Sequence, residues 1–338
     1  MKTAIVTDPR YRQHDTGSGH PERPERLLTV ESVLHDWHGA PLERVDARLA
    51  GEDEIRTAHT EDLYARIRDT QRVARARIDA DTTTCARSFE VALLAAGGLI
   101  ELVDAVATRA YANGFAFVRP PGHHATAAQA MGFCLFNNVA VAAKHLQLRH
   151  GIERVAIIDW DLHHGNGTEA IFYDDPSVLY VSLHQFPQYP GTGAVTDIGR
   201  GAGLGYNVNV PLSAGVGDEG YLLAFEEIVT PVLRQFAPQF ILISAGFDCH
   251  WRDPLGAMQV TEKGFLGMTR SLLSVADEIA DGRIAAVLEG GYDLDAIRGS
   301  TEAVLTELSH GARQHATTAS HTKAFDRLRE VLAPHWRL

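Results

Sequence analysis

Short apolar runs alternate with long amphipathic segments along the whole chain, and this alternation constrains the fold more than any other feature of the sequence. A short apolar run is typical of a buried strand, whereas apolar residues at every third or fourth position are typical of a helix. Strands that alternate with helices form a mostly parallel sheet with helices on both faces. The sequence therefore predicts an α/β fold.

Seven strands and eight helices are predicted from these patterns. The predicted strands are Thr3–Thr7, Gly114–Val118, Arg154–Asp159, Val178–Leu183, Gly205–Val210, Gln239–Ser244 and Ile284–Leu288. The predicted helices are Glu25–Trp37, Thr60–Arg77, Ser88–Ala110, Asn137–His150, Asp218–Phe236, Thr261–Ala280, Asp293–His310 and Lys323–Leu332. The sequence contains no repeat, low-complexity tract or Pro/Ser-rich linker, so we expect one domain over residues 1–338.

The composition excludes several classes of protein. The formal net charge of −12 argues against a nucleic-acid partner and is compatible with cationic substrates. Three cysteines without a CxxC pair indicate a reducing compartment rather than a disulfide framework. The first apolar run ends at Asp8 and Pro9, and no run reaches the roughly 18 to 20 apolar residues of a membrane span. We expect a soluble, cytoplasmic protein without a membrane partner; a homo-oligomer is compatible with the sequence.

Polar loops follow four of the predicted strands, at residues 119–133, 159–167, 245–256 and 289–292. Their content of His, Asp and Gly is far above that of the rest of the chain. Ligands of open α/β sheets bind beyond the carboxyl ends of the strands. We therefore expect these four loops to face one another across a single cleft.

Three residues in two of these loops have the pattern of a metal site. Asp161 and His163 are two positions apart, so in an extended segment both side chains point the same way, and Asp248 follows another strand. Three N/O ligands with open coordination positions are typical of a catalytic zinc centre, and two carboxylates would neutralise the ion. Ordinary strand-end carboxylates with a capping histidine explain each residue alone, but explain all three together less well.

The adjacent histidines His123 and His124 allow two interpretations: further metal ligands, or proton-transfer groups for a water that the metal activates. Three ligands already suffice and a hydrolytic centre needs a base, which favours the second. Asp159 and Asn166 could each hydrogen-bond one imidazole, and the ring beside the carboxylate would be the more basic. Tyr292, after two glycines, could donate a hydrogen bond to an oxyanion, although Gly-Gly alone more often marks only a turn.

Long, ordered motifs over nearly the whole chain resemble one family, the zinc-dependent histone deacetylases, which include acetoin-utilisation proteins and acetylpolyamine amidohydrolases. The motifs are GHPERPERL (Gly19–Leu27), RPPGHHA, MGFCLFNNVA (Met131–Ala140), IDWDLHHGNGT, SLHQFPQYPGTG (Ser182–Gly193), SAGFDCHWRDPLG and LEGGYDL. The resemblance implies the arginase/deacetylase fold, a single parallel sheet of about eight strands, which is one strand more than the patterns predict.

The resemblance also implies roles for individual residues. It implies one zinc ion per chain bound by Asp161, His163 and Asp248. His123 and His124 would be the catalytic pair, and further catalytic positions would be Asp159 behind His123, Asn166 behind His124, and Tyr292, which would polarise the acetyl carbonyl. Asn rather than Asp at position 166 resembles the class II branch.

A substrate tunnel and a potassium ion are also implied by the resemblance. Phe133 and Tyr189 would form two aromatic walls, although Phe133 alone is equally well explained by core packing, and the family more often has Phe in place of Tyr189. Gly132 would let backbone approach the tunnel, Leu255 occupies the gatekeeper position, and Asp81 would lie at the rim. The potassium ion would use Asp159, Asp161, His163, Ser182 and Leu183.

The expected reaction is hydrolysis of an N-acetyl amide, and the expected substrate is an acetyl-lysine side chain of a protein or peptide. A small acetylated amine such as an acetylpolyamine is the alternative; Leu255, where polyamine-selective relatives tend to have an acid, favours lysine. An acetyl-lysine reader without turnover is disfavoured because every catalytic position is filled. An arginase-like dinuclear manganese site needs additional acids where His164 and Asn166 stand. No GxSxG motif supports a serine hydrolase.

Overall fold

A parallel sheet of eight strands lies at the centre of the computed structural model, which describes residues 2–310 and 322–338. In chain order the strands are β1 (Thr3–Val6), β2 (Leu42–Arg44), β3 (Arg75–Arg77), β4 (Thr83–Cys85), β5 (Asn113–Ala116), β6 (Val155–Asp159), β7 (Val178–Gln185), β8 (Asn207–Leu212), β9 (Phe240–Ala245) and β10 (Ile284–Leu288). The spatial order in the sheet is β2-β1-β5-β10-β9-β6-β7-β8, and β3 and β4 form a separate antiparallel pair. The predicted α/β fold is confirmed.

Helices flank the sheet. They are α1 (Glu25–His35), α2 (Glu52–Ile55), α3 (Glu61–Asp69), α4 (Ser88–Ala107), α5 (Asn138–His150), α6 (Asn166–Phe172), α7 (Asp218–Ala224), α8 (Thr230–Phe236), α9 (Glu262–Ile279), α10 (Leu294–His310) and α11 (Asp326–Leu332). A π-helical turn, Phe225–Val229, joins α7 to α8, so the helix predicted over this region is continuous but contains a wider turn. Across residues 2–310 and 322–338, no helix combines the length and the apolar character that a membrane crossing requires.

The central strands are buried on both faces, which explains why they read as apolar runs rather than as alternating patterns. All five residues of β6 and all six of β9 are buried. Strands of parallel sheets covered by helices on both sides are typically continuous Val/Ile/Leu segments. This burial is what made these strands recognisable in the sequence.

The sheet order brings the four polar loops together. β5, β10, β9 and β6 are consecutive neighbours in the sheet, and all four run in the same direction. Their carboxyl ends therefore lie side by side, and the loop after each begins at the same edge. The expectation that these loops surround one cleft rests on this strand order, which the sequence alone does not provide.

The predicted pattern of elements needs correction in several places. The eighth strand of the sheet, β2, has only three residues and reads Leu-Glu-Arg, which is too short and polar to be recognised as an apolar run. The helix predicted over Thr60–Arg77 ends at Asp69, and its last part forms β3 instead. The Asp79 carboxylate causes this reversal, because it accepts hydrogen bonds from the backbone N–H groups of residues 81 and 82 and turns the chain back into β4. Two short helices were not predicted: α2, and α6, which begins at the end of the polar loop after β6.

Gly97 lies in the middle of α4 where the helix touches another backbone segment. A Cβ atom at this position would lie 2.0 Å from the carbonyl oxygen of Arg48 and 2.6 Å from the amide nitrogen of Ala50. Alanine normally stabilises a helix relative to glycine by about 1 kcal/mol. Here, two backbones would have to separate, so we expect Gly97→Ala to lower the free energy of unfolding by about 1–3 kcal/mol in urea denaturation.

Gly299 in α10 is the matched control. The nearest atoms to its added Cβ belong to the side chain of Glu262, which can move aside. Gly299→Ala should leave the free energy of unfolding unchanged or raise it slightly. Equal stabilisation by both substitutions would contradict the close contact between α4 and residues 48–50.

Candidate active site

Two carboxylates and an imidazole meet at the carboxyl ends of β6 and β9. The Nδ1 atom of His163 lies 3.2 Å from Oδ1 of Asp161 and 3.0 Å from Oδ2 of Asp248. The possible ligand atoms of the three residues all lie within 4.8 Å of one another. Both carboxylates are buried. The structure thus brings the three predicted metal ligands together although they come from two separate loops.

Backbone groups hold this cluster in place. The amide nitrogen of Leu162 donates to Oδ1 of Asp248 at 2.8 Å, and that of Gly290 donates to Oδ2 of Asp161 at 2.8 Å. A Cβ atom on Gly290 would lie 2.2 Å from Oδ2 of Asp248 and 2.6 Å from Oδ2 of Asp161. The glycine is therefore required by space, because any side chain would fill the position between the two carboxylates.

The charges of this region favour a bound cation. Asp159, Asp161, Asp248 and Glu289 are all buried within the same group of loops. Burial, together with the charge of Asp161, raises the pKa of Asp248 to about 7, and burial raises the pKa of Glu289 to about 7. Buried acids that resist ionisation in this way are stabilised as carboxylates by a nearby cation. The donor set of two carboxylates and one imidazole fits a zinc ion.

The two adjacent histidines lie beside this cluster and have different partners. The Nδ1 atom of His123 is 3.0 Å from Oδ2 of Asp159, which also accepts a hydrogen bond from the hydroxyl of Tyr180 at 2.9 Å. The Nδ1 atom of His124 is 2.8 Å from the side-chain oxygen of Asn166. The ring centroids of the two histidines are 4.0 Å apart. Both Nε2 atoms remain free of these partners.

The pKa values of the two imidazoles move in opposite directions. Burial lowers the pKa of His123, but the carboxylates of Asp161 and Asp159 outweigh burial and raise it to about 10. Burial and the neighbouring charges of His123 and His163 hold the pKa of His124 well below its ordinary value. A divalent cation between Asp161 and Asp248 would reduce the rise at His123, because it neutralises part of the negative charge that causes it.

Tyr292 follows β10, and both its backbone and its ring contact other residues of the site. Its backbone N–H donates to Oδ2 of Asp253 at 2.6 Å, and its ring packs edge-on against Phe133 at a centroid distance of 5.9 Å. The guanidinium of Arg26 lies 5.0 Å from the ring centroid and donates to the carbonyl oxygens of Glu289 and Gly291. The loop is thus fixed by a buried arginine and a buried aspartate.

A cavity of about 250 Å³ leads from the protein surface to these groups. Its lining contains all five predicted tunnel residues and three predicted site residues, together with one further residue: Asp81, His124, Gly132, Phe133, His163, Gln188, Tyr189, Leu255 and Tyr292. Gln188 had no predicted role. Its side-chain amide donates to the carbonyl oxygen of Leu255 at 3.1 Å and so joins two walls of the cavity.

The wall formed by Gly132 and Phe133 requires an unusual backbone. Both residues have positive φ angles, 56° for Gly132 and 66° for Phe133, and the latter is strained for a non-glycine residue. The imidazole of His124 lies against Gly132, where a Cβ atom would be 2.4 Å from the ring. The backbone N–H of Phe133 donates to the hydroxyl of Thr82 at 3.1 Å. The conformation turns the Phe133 side chain into the cavity.

The sequence motifs did not reveal which buried residues hold the loops of the site in place. Glu289 accepts hydrogen bonds from the backbone N–H groups of Gly122 at 2.6 Å and His123 at 3.2 Å, and thereby fixes the start of the histidine loop. Glu289 lies in the recognised EGGY segment, so its position was a usable signal. Asp253 and Arg26 also lie within the quoted motifs, but their contacts with the Tyr292 loop depend on long-range folding.

The residues expected to bind potassium lie at the end of β6, in the loop that follows it, and within the neighbouring strand β7. Asp159 and Ser182 are directly opposite in the register of these strands, and Leu183 follows. The neighbouring His164 faces away from the metal cluster, since its ring nitrogens lie 2.7 Å from Thr192 Oγ1 and 3.1 Å from Glu169 Oε2. His164 and Asn166 thus have other partners, which disfavours an arginase-like second ion.

Comparisons with known proteins identify the family. Residues 20–308 match the model of the histone deacetylase domain. A "Probable deacetylase" of Archaeoglobus fulgidus is 44% identical over 301 residues, which are 87% of this chain and 82% of that protein. Histone deacetylase 15 of Arabidopsis thaliana is 42% identical over 90% of this chain, and histone deacetylase 4 of Caenorhabditis briggsae is 40% identical over 99% of it.

The fold is also similar to a solved structure. The crystal structure of the HDA15 HD domain superimposes with a TM-score of 0.91 at 38% sequence identity and covers 99% of this chain and 97% of that one. The matched segments make up 56% of the Arabidopsis protein and 42% of the Caenorhabditis protein, so this chain spans about half the length of these relatives. The extent of these matches shows that the chain belongs to the histone deacetylase family.

Proposed function

We propose that the protein is a zinc-dependent deacetylase that hydrolyses the acetyl amide of acetyl-lysine side chains in proteins or peptides. The observation that carries this proposal is the cavity of about 250 Å³, which has aromatic side chains in its walls and His124, His163 and Tyr292 among its lining residues. An apolar chain of lysine length can lie between Phe133 and Tyr189, while its acetyl end reaches the polar groups.

Asp161, His163 and Asp248 would hold the zinc ion. When bound there, zinc supplies a Lewis acid for the acetyl carbonyl and for the attacking water. The cluster lies beyond strand ends that are fixed in the sheet, so these side chains are oriented before an ion or substrate binds. A potassium ion at Asp159, Asp161, His163, Ser182 and Leu183 is part of the same proposal and rests on the family resemblance.

His123 and His124 would move the protons of the reaction. The Nδ1 atom of each ring is occupied by its partner, Asp159 or Asn166. This arrangement fixes the ring orientations and leaves Nε2 as the atom that exchanges protons with water and with the departing amine. The ring beside the carboxylate is the more basic, so the two histidines differ in the pH range over which each is protonated.

Tyr292 would stabilise the oxyanion that forms when water attacks the carbonyl. Its ring lies at the wall of the cavity against Phe133, and its loop is held by Asp253 and Arg26. Burial raises the pKa of its hydroxyl well above the ordinary value, so the phenol keeps its proton and can donate it as a hydrogen bond. Collapse of the tetrahedral species then releases acetate and the free amine.

A small acetylated amine is the alternative substrate. Asp81 lies at the cavity and could bind a cationic amine as well as backbone amides of a peptide. Leu255 lines the same cavity with an apolar side chain where an acid would favour a polycation. The names of the relatives, two of which are histone deacetylases, also support the lysine substrate.

Removing the Tyr292 hydroxyl tests the oxyanion role. We expect Tyr292→Phe to lower kcat about 100- to 1000-fold, because one hydrogen bond to the oxyanion is lost. Zinc content and Tm should stay unchanged. The matched control is Tyr189→Phe, which removes the other tyrosine hydroxyl at the cavity and should retain turnover within a few-fold. Full activity in Tyr292→Phe would refute the assigned role.

Replacing the partner of His124 tests the proton-transfer assignment through pH dependence. A carboxylate favours the imidazolium form, so Asn166→Asp should raise the pKa of His124 by about 1–3 units. The limb of the kcat/KM profile that reports this residue should move to higher pH. Asn166→Ala removes the hydrogen-bond acceptor and should not move this limb to higher pH. An unchanged profile in Asn166→Asp would exclude His124 as a titrating group in the reaction.

A substrate comparison tests the choice between lysine and polyamine. Zinc-loaded protein should release acetate from an acetyl-lysine peptide with a higher kcat/KM than from an acetylpolyamine. In Leu255→Glu the added carboxylate at the cavity should shift this ratio toward the polyamine. A wild-type preference for the polyamine would overturn the lysine assignment and leave the deacetylase reaction intact.

A further inference from the structure

A second cluster of metal-ligating side chains lies between helices α4 and α5. The Nε2 atom of His145 is 2.7 Å from Oδ1 of Asp104, and the Nε2 atom of His150 is 2.6 Å from the same oxygen. The possible ligand atoms of the three residues lie within 4.8 Å of one another. The proposed deacetylase reaction uses none of them.

This cluster lies near the amino ends of the strands, whereas the candidate active site lies at their carboxyl ends. Helix α4 leads into β5 and helix α5 leads into β6, so the carboxyl ends of these helices lie where the strands begin. Asp104 is in the last turn of α4, and His150 is the last residue of α5. The loops of the candidate active site follow the other ends of the same strands. The cluster is therefore independent of the proposed function.

We propose that Asp104, His145 and His150 bind one divalent transition-metal ion, such as zinc or nickel, and thereby join α4 to α5. Two imidazoles and one carboxylate are the donor set that these metals prefer. The partial negative charge at the carboxyl ends of two helices also favours a cation at this position.

The distances suit this ligand set after a small adjustment. Around a tetrahedral zinc ion with bonds of 2.0–2.2 Å, ligand atoms lie about 3.3 Å apart. The two nitrogen–oxygen distances would therefore open by about 0.6 Å as the ion replaces the hydrogen-bonding protons. The side chains are partly accessible, with exposed fractions of 34% for Asp104 and 20% for His150, so small side-chain rotations and a water ligand can be accommodated.

A carboxylate lies behind one of the histidines, slightly beyond hydrogen-bonding distance. Oε1 of Glu54 lies 3.7 Å from Nδ1 of His145, the nitrogen that would not bind the ion. Glu54 is itself held by two hydrogen bonds from Arg48, at 2.6 and 2.7 Å. A small rotation of the ring on metal binding would bring Glu54 within hydrogen-bonding distance, and a carboxylate that accepts this hydrogen bond orients the imidazole and increases its basicity toward the metal.

The charges around the cluster predict which ions bind. The cavity beside it has a volume of about 760 Å³ and is lined by three arginines and three acids, namely Arg44, Arg48, Arg149, Glu54, Glu101 and Asp104. The formal charges of these side chains cancel, so the affinity must come mainly from the bonds to imidazole nitrogen. Zinc, nickel and copper should bind, whereas magnesium and calcium, which prefer oxygen ligands, should not.

Metal content of matched variants tests the proposal. After equilibration of the full chain with excess zinc and removal of free ion, wild type should contain two zinc ions per chain. His150→Gln should contain one, Asp161→Asn should contain one, and the double variant should contain none. His38→Gln, an exposed histidine outside both clusters, is the control and should contain two.

A second readout is thermal stability. Added zinc should raise the Tm of Asp161→Asn, in which the active-site ligand set is broken, and this rise should disappear in the double variant with His150→Gln. Glu54→Gln should weaken zinc binding about 10- to 100-fold without changing the stoichiometry. Deacetylation by His150→Gln should equal that of wild type.

Two results would overturn the proposal. One is a single ion in wild type that is lost in Asp161→Asn. The other is two ions that both persist in His150→Gln, which would place the second ion elsewhere, for example beside the first in a dinuclear centre. A single ion lost in Asp161→Asn would leave the proposed deacetylase site intact, whereas a second ion beside the first would favour the dinuclear alternative. Acetate release and Tyr292→Phe test the deacetylase reaction separately.

Discussion

The site depends on the close approach of two buried carboxylates, Asp161 and Asp248, around the imidazole of His163. Burying two like charges together is costly, and here backbone N–H groups from Leu162 and Gly290 offset part of this cost. A divalent cation would offset more. The same negative charge sets the proton affinity of His123, so the metal cluster and the proton-transfer residues form one electrostatic unit.

The sheet provides the rigidity that such an arrangement needs. Four neighbouring strands end at one edge, and each sends a polar loop into the same cleft. The loops are joined by buried polar contacts: Glu289 fixes the histidine loop, and Asp253 and Arg26 fix the Tyr292 loop. Within the site, Phe133 has a positive φ angle, which turns its aromatic ring into the cavity.

Much of the site could be predicted because its residues lie in short, dense motifs. Asp161 and His163 are two positions apart, and His123 and His124 are adjacent, so their shared location needed only the strand ends. Glu289 and Gln188 also lie in quoted motifs, but no role was predicted for them because no periodicity distinguishes a supporting acid or amide in a loop from its neighbours. The cluster of Asp104 with His145 and His150 had no signal at all. The two histidines are 41 and 46 positions away from Asp104, on helices whose sequences show no unusual pattern.

The sequence by itself determined the α/β class, most of the buried strands and the identity of the polar residues at their ends. Apolar runs and polar loops are visible in short stretches of sequence, so these features need no information about distant contacts. Only the tertiary structure decided which strands are neighbours, and hence which loops meet. It also added β2, which pairs with β1, and the β3–β4 turn, where the chain reverses and pairs with itself. The few polar residues of these strands depend on that pairing. Distances between ligands, the partners of each histidine and the shape of the cavity follow from that pairing, which no local pattern specifies.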